Sequence, residues 1–350
     1  MNRIHGEYLT VTAPGKLMLA GEYAVVLGGD AVVVAVNRNA CVTLGRDITG
    51  VGGRKMGSRL SRVAAGLAVE QCGIDPVPGP IEVDTSAMYI HGQKLGLGSS
   101  AATTAGVCGA VFQWAGISCG SKKSRKRIFE CAFKAQSIVQ GERGSGADVA
   151  ASVYGGLFSY KRPEGGEPAV TRLPMDGLPP MSVVWTGRPS NTPYMLRRFW
   201  LWVESMPRGE VAGALDCISN SARRLASAVC EGDEKVVLDA YRDCADAYMS
   251  LGIKSGMPLM ECTTPKLLDL VAMHGGVYKP SGAGAGDLGV ALFTDTDHRD
   301  AFEEEARKAG MLVLDLEPSR AGVEAGTRKN VNRAGRVWDR DGNRNAEEHY

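Results

Sequence analysis

The sequence predicts an α+β protein built as two domains, and three observations carry that expectation. At 350 residues the chain exceeds what a single hydrophobic core usually serves. Segments with the two-residue period of strands and segments with the 3.6-residue period of helices are interspersed without regular alternation. The stretch 161–180, KRPEGGEPAVTRLPMDGLPP, is the most polar and Pro/Gly-rich break in mid-chain. We therefore expect an N-terminal domain over 1–178, a C-terminal domain over 179–320, and a polar, flexible tail over 321–350.

Taken in order, 8–12 (YLTVT) and 31–36 (AVVVAV) read as strands, being rich in β-branched residues. Between them lies APGKLMLAGEYAVVLGG, punctuated by Gly and Pro and carrying one Lys and one Glu. Residues 59–73 follow a helical pattern, and 80–85 alternate like a strand. The loop 94–98 (KLGLG) opens into a helix of small residues, and a second helix covers about 124–140, with Ile128, Cys131, Ala132, Ala135 and Val139 on one face. The second half starts with a strand at 181–186 and continues with three helices across about 190–250. A further helix begins at Thr264-Pro265, a hydroxyl cap followed by Pro at the first position, and stops at Gly275. The loop PSGAGAGD (280–287) leads into a strand, then a helix (296–309) and a strand (311–315). No internal repeat is visible.

Composition narrows the function. A net charge of +1 argues against nucleic acid or an anionic membrane as the main partner. Nine scattered Cys without a Cys-x-x-Cys pair, and no signal peptide, fit reduced thiols in the cytoplasm. The five His lack metal-ligand spacing, and no apolar run reaches the ~20 residues that span a bilayer. The basic run KKSRKR (122–127) reads as a solvated helix end.

The chemistry gathers in four loops. In GLGSSAA (96–102), Gly96 and Gly98 clear the approach to a helix N-terminus whose free N–H groups suit an anion, and Ser99 and Ser100 add hydroxyls. The string also matches the dinucleotide pattern G-x-G-x-x-A, but it does not open a βαβ unit, and no Walker pattern is present. Lys16 in APGK follows a strand at a fixed backbone position where it can offset phosphate charge. Asp148 in QGERGSGADVAAS has small apolar neighbours, a costly setting for an unpartnered carboxylate. KPSGAGAGD (279–287) has more alternating small residues than a turn requires.

Together, PGK-x₃-AGEYAVV, GLGSSAA and SGAGAGD resemble, in order and spacing, the three signature motifs of the GHMP kinases, across roughly residues 10–316. QGERGSGADVAASVYGG, WTGRPSNT (185–192) and the Lys-Pro before the last Gly loop are similar to the phosphomevalonate kinase group of that family. Ala285 stands where that group usually has Gly, and Leu288 where it often has Cys.

The resemblance implies two α+β domains, the first with a left-handed βαβ element and the second ferredoxin-like. It implies ATP and Mg²⁺ as cofactors and 5-phosphomevalonate as acceptor, in a cytoplasmic monomer or homodimer. Carried over, Leu95, Gly96, Leu97, Gly98, Ser99, Ser100 and Ala101 would hold ATP, with Ser100 near the metal. Lys16 and Asp148 would sit at the reacting phosphate. Glu22, Tyr23, Arg143, Ser145, Gly146, Lys279, Gly282, Ala283 and Gly284 would line the substrate site. Gln136 stands where mevalonate kinases carry a metal-binding Glu. Mevalonate kinase, diphosphomevalonate decarboxylase and a non-catalytic ligand sensor of the same family are the alternatives.

Overall fold

The computed structural model describes residues 6–45, 58–75, 79–141, 144–163, 166–326, 329–331 and 337–338. Two long strands, β1 (Gly6–Ala20) and β2 (Ala31–Gly45), open the chain and pair antiparallel along most of their length. Next come α1 (Arg59–Cys72), β3 (Ile81–Asp84) and a small hairpin of β4 (Tyr89–Ile90) and β5 (Gln93–Lys94). Then follow α2 (Ser99–Trp114), α3 (Lys122–Gln140), α4 (Ala147–Tyr154), β6 (Leu157–Lys161) and β7 (Ala169–Arg172).

The second half has β8 (Met181–Trp185), α5 (Thr192–Ser205), α6 (Arg208–Glu231), α7 (Glu234–Ser255) and α8 (Pro265–Met273). It continues with β9 (Val277–Ser281), β10 (Leu288–Leu292), α9 (Thr296–Lys308) and β11 (Leu312–Leu314). Short strands β12 (Glu324–Ala325), β13 (Lys329–Val331) and β14 (Val337–Trp338) end the described chain.

The first sheet runs β14-β13-β1-β2-β6-β7, with β12 also on β1 and β3 also on β2. The second runs β11-β8-β10-β9, and all its pairs are antiparallel. A β-α-β-β-α-β chain order with this strand order is the ferredoxin-like arrangement.

Strand alternation assigns each face its own core. Ala31, Val33 and Ala35 point into a cluster with α1–α4, while Val32, Val34 and Val36 point into one shared with α6 and α7. In the second sheet Val183 and Val290 join that shared cluster, whereas Val184 and Ala291 pack with Phe293 and Phe302 under α8 and α9. The result is a stack of helices, sheet, helices, sheet, helices, in which α6 and α7 lie between the sheets. The break at 161–180 carries β7, which extends the first sheet, and the chain changes sheets between Arg172 and Met181.

The expectation of a flexible tail from 321 needs correction where the tail is described. Val323 is fully buried against the α2 side of the first sheet, and β12 and β13 both pair with β1. An isolated Val inserted into a core is invisible to a search for apolar periodicity. The segment at 9–20 also differs from expectation. Lys16 does not follow a strand but lies within β1, beyond a register shift at Pro14/Gly15. No helix among the described residues is long and apolar enough to cross a membrane.

Candidate active site

The helix α2 starts on Gly98, whose φ of +77° is left-handed, and no side chain caps its first N–H groups. Those donors are therefore free for an external acceptor. Gly96, at φ +79°, makes the preceding bend. Leu95 and Leu97 are buried anchors of this loop, and the Leu97 carbonyl accepts the Lys16 N–H at 2.9 Å. The loop is thus fastened to β1 next to the lysine.

The helix α4 also begins on a left-handed glycine, Gly146 at φ +81°, but here the Ser145 hydroxyl accepts the Ala147 N–H at 3.3 Å. The Ser145 carbonyl accepts the Tyr160 hydroxyl at 2.7 Å, and Ser152 Oγ in α4 donates to the Pro14 carbonyl at 2.8 Å. The loop before α2 is thus tied to β1 at Lys16, and α4 is tied to β1 at Pro14. A Cβ at Gly98 would lie 3.4 Å from Lys16 Cγ and 3.7 Å from Asp148 Cβ, so the glycine lets loop, cation and carboxylate meet. Asp148 accepts the Val149 N–H at 2.9 Å. Burial raises its pKa, opposed by the charge of Lys16 and by backbone hydrogen bonds.

The third loop arrives from the other sheet. Ser281 Oγ accepts the Met18 N–H at 2.9 Å, and a Cβ at Gly282 would stand 3.7 Å from Lys16 Nζ. Gly282 therefore approaches the ammonium end of Lys16, while Gly98 lies along its stem. The Tyr248 and Tyr23 hydroxyls donate to the carbonyls of Gly282 and Ala283 at 3.2 and 2.6 Å, and Ser190 Oγ donates to that of Gly284 at 2.6 Å.

The structure brings together Lys16, Asp148, residues 95–101, Ser145, Gly146 and 282–284. It gives Glu22, Tyr23 and Lys279 a different position from the expected substrate wall. Lys279 is 1% exposed and Glu22 2%, and they form an ion pair with each other. Tyr23 is buried, its ring 5.0 Å from that of Phe199. All three contact the glycine loop from its buried side, Lys279 from β9 and Glu22 and Tyr23 from the turn after β1. Arg143, and Glu142 beside it, fall outside the described residues. Gln136 is partly buried and its Nε2 lacks a partner. Among the described residues no three His, Cys, Asp or Glu side chains group to hold a metal.

Sequence reasoning missed Asp287 and Ser190. Asp287 has φ +56° and accepts the Ser190 N–H at 2.8 Å. The only sequence signal was the position of both residues beside expected loops.

The known proteins to which the chain is similar agree with this geometry. Residues 59–156 match the model of the GHMP kinases N terminal domain. The phosphomevalonate kinase of Streptomyces sp. (strain CL190) is 29% identical over 375 residues, covering 89% of this chain and 97% of that one. A crystal structure of a Lin0012 protein from Listeria innocua is 25% identical with a TM-score of 0.77, covering 91% of this chain and 99% of that one. The Streptococcus pneumoniae phosphomevalonate kinase in complex with phosphomevalonate and AMPPNP superposes with a TM-score of 0.70 at 17% identity, covering 88% of this chain and 99% of that one. With a glycine-led helix beside a strand lysine, and with matches that run nearly end to end, the chain is similar throughout to GHMP kinases, and residues 59–156 match their N-terminal domain.

Proposed function

We propose that the chain transfers the γ-phosphoryl group of ATP to 5-phosphomevalonate, giving ADP and 5-diphosphomevalonate. The observation that carries the phosphotransfer reading is Lys16, close to both Gly98 and Gly282 and beside the open N-terminus of α2 and the Asp148 carboxylate at the start of α4. The acceptor is supported by the Streptomyces relative and by the phosphomevalonate in the Streptococcus complex.

Residues 95–101 cradle the nucleotide phosphates with backbone N–H groups, and Ser145, Gly146 and 282–284 face the acceptor. Mg²⁺ would be held by the Ser100 hydroxyl with Asp148 close by, and it would neutralise charge between the nucleotide phosphates. A phosphomonoester has its second pKa near ~6, so the nucleophile is already mostly dianionic at neutral pH. The obstacle is the approach of two anions rather than the removal of a proton. Lys16 and the loop amides offset that charge, and Asp148 orients Lys16 and the acceptor. The enzyme acts as a cytoplasmic monomer or homodimer, with no nucleic acid or membrane in the reaction.

An ADP-coupled assay offering mevalonate, its 5-phosphate and its 5-diphosphate separately tests the reading. Turnover with the 5-phosphate is expected. Turnover with mevalonate alone would make this a mevalonate kinase, and ATP binding without ADP release would make it a sensor.

A further inference from the structure

Asp287 presents an electrostatic puzzle. It is a carboxylate placed against a loop whose backbone invites anions. A Cβ built on Gly96 would lie 2.5 Å from Asp287 Oδ2 and 2.5 Å from its Cγ, so the carboxylate occupies the space that a side chain at 96 would take. The other oxygen, Oδ1, accepts the Ser190 N–H at 2.8 Å. The Asp287 backbone is fastened on both sides. Its N–H donates to the Arg188 carbonyl at 2.7 Å, and its carbonyl accepts from the Thr186 N–H at 2.9 Å and the Thr186 hydroxyl at 3.0 Å. Asp287 sits at φ +56°, a left-handed backbone that few non-glycine residues adopt, and these contacts hold it there.

Gly96 belongs to the loop before α2, fastened to the first sheet, whereas Asp287 and the 186–190 turn extend from the second. We propose that Asp287 is a positioning residue: it couples the nucleotide loop to the second sheet and so fixes the gap between the two glycine loops that approach Lys16. It acts by contact and by its bond to Ser190 rather than by charge. Burial raises its pKa, against the Ser190 hydrogen bond and the cations of Lys16 and Lys94, as expected for a carboxylate whose negative charge is not favoured where it sits. The segment 185–192 thereby holds the residue that sets the nucleotide loop. Ser190 takes part twice, its N–H on Asp287 and its hydroxyl on Gly284, so one residue ties both loops.

The inference rests on residues 95–101 holding nucleotide but not on the identity of the acceptor. The test is the affinity of wild type, Asp287→Ala and Asp287→Asn for a fluorescent ATP analogue, with KM for ATP and for the acceptor and a thermal melt of each. Asp287→Ala empties the space over Gly96 and frees the Ser190 N–H. It is expected to weaken nucleotide binding and raise KM for ATP by about tenfold, with KM for the acceptor changed far less. Asp287→Asn keeps the volume and an acceptor for Ser190, and is expected to recover most of that loss. Nucleotide affinity in Asp287→Ala equal to wild type would overturn the inference, as would an Asn variant as weak as the Ala variant, which would assign the role to charge. Failure of the wild type itself to bind nucleotide would instead sink the kinase reading.

Discussion

Glu22 and Lys279, 257 residues apart in the chain, form a buried ion pair beneath the glycine loop that approaches Lys16. Lys279 Nζ also donates to the Pro280 carbonyl at 2.8 Å and lies 4.9 Å from the centre of the Tyr248 ring. Glu22 Oε1 reaches the Gly282 N–H at 3.4 Å, while Oε2 is buried without a partner. The pair joins the first strand–turn unit to the second sheet at the base of the site. It sets the height of the loop from below, as Ser190 and Asp287 set it from the side.

Breaking that pair on one side strands a buried charge, which typically costs about 3–5 kcal/mol. Lys279→Met and Glu22→Gln are each expected to lower urea stability by that order, and the double variant to recover a substantial part. Activity in the double variant should remain low, because the loop has lost its support. Single variants as stable as wild type would show that the pair does not hold the two halves together.

Ala285 tests the strain in the same loop. Its φ is +56°, in the left-handed region where a Cβ costs roughly 1–2 kcal/mol. Ala285→Gly removes that cost but gives the unfolded chain more freedom, so a net gain of up to about 1 kcal/mol is expected. A chemical-denaturation series decides, and a loss of stability would mean that contacts of the Ala285 methyl outweigh the strain.

The loops that carry chemistry were legible because glycine spacing records a backbone requirement directly. Gly96, Gly98, Gly146, Gly282 and Gly284 all have positive φ here. The roles of Glu22 and Lys279 were not legible, since a charged residue near a phosphate site reads as a ligand contact until a partner from the far end of the chain is seen. Val323 was missed for a related reason: its burial depends on Gly109 and Val11, which no local pattern around 323 contains. The strand VYKPS (277–281) was hidden too. Lys279 and Pro280 break its apolar run, although all five residues are buried in an edge strand.

The pH dependence of stability follows from Asp148. Its folded-state pKa is raised above the ordinary 3.8 by burial, so folding favours the protonated acid. The resulting penalty is present at neutral pH, shrinks as pH falls through the folded value, and is gone below the unfolded one. Asp148→Asn should therefore melt at a higher temperature than wild type at pH 7 without ligand. That advantage should fade as pH falls towards 3.8. Paired melts across pH check this, and an advantage that grows on acidification would contradict it.

The division of labour between Lys16 and Asp148 gives the sharpest test of the chemistry. If charge offset between two phosphates is the main barrier, Lys16→Met removes the cation close to Gly98 and Gly282 and should lower kcat by roughly 10³-fold or more. Asp148→Asn keeps the shape at the start of α4 and loses only the carboxylate charge that orients Lys16. Its loss should be smaller, roughly 10²-fold, because the phosphate nucleophile needs little proton removal. The Asp148→Asn rate should also recover little as pH rises above the phosphate's second pKa, since that acceptor is then already fully ionised. A carboxylate acting as general base predicts the reverse order, with the Asp148 variant far more damaged than the Lys16 variant. Single-turnover rates with saturating ATP and 5-phosphomevalonate distinguish the two, free of any contribution from product release.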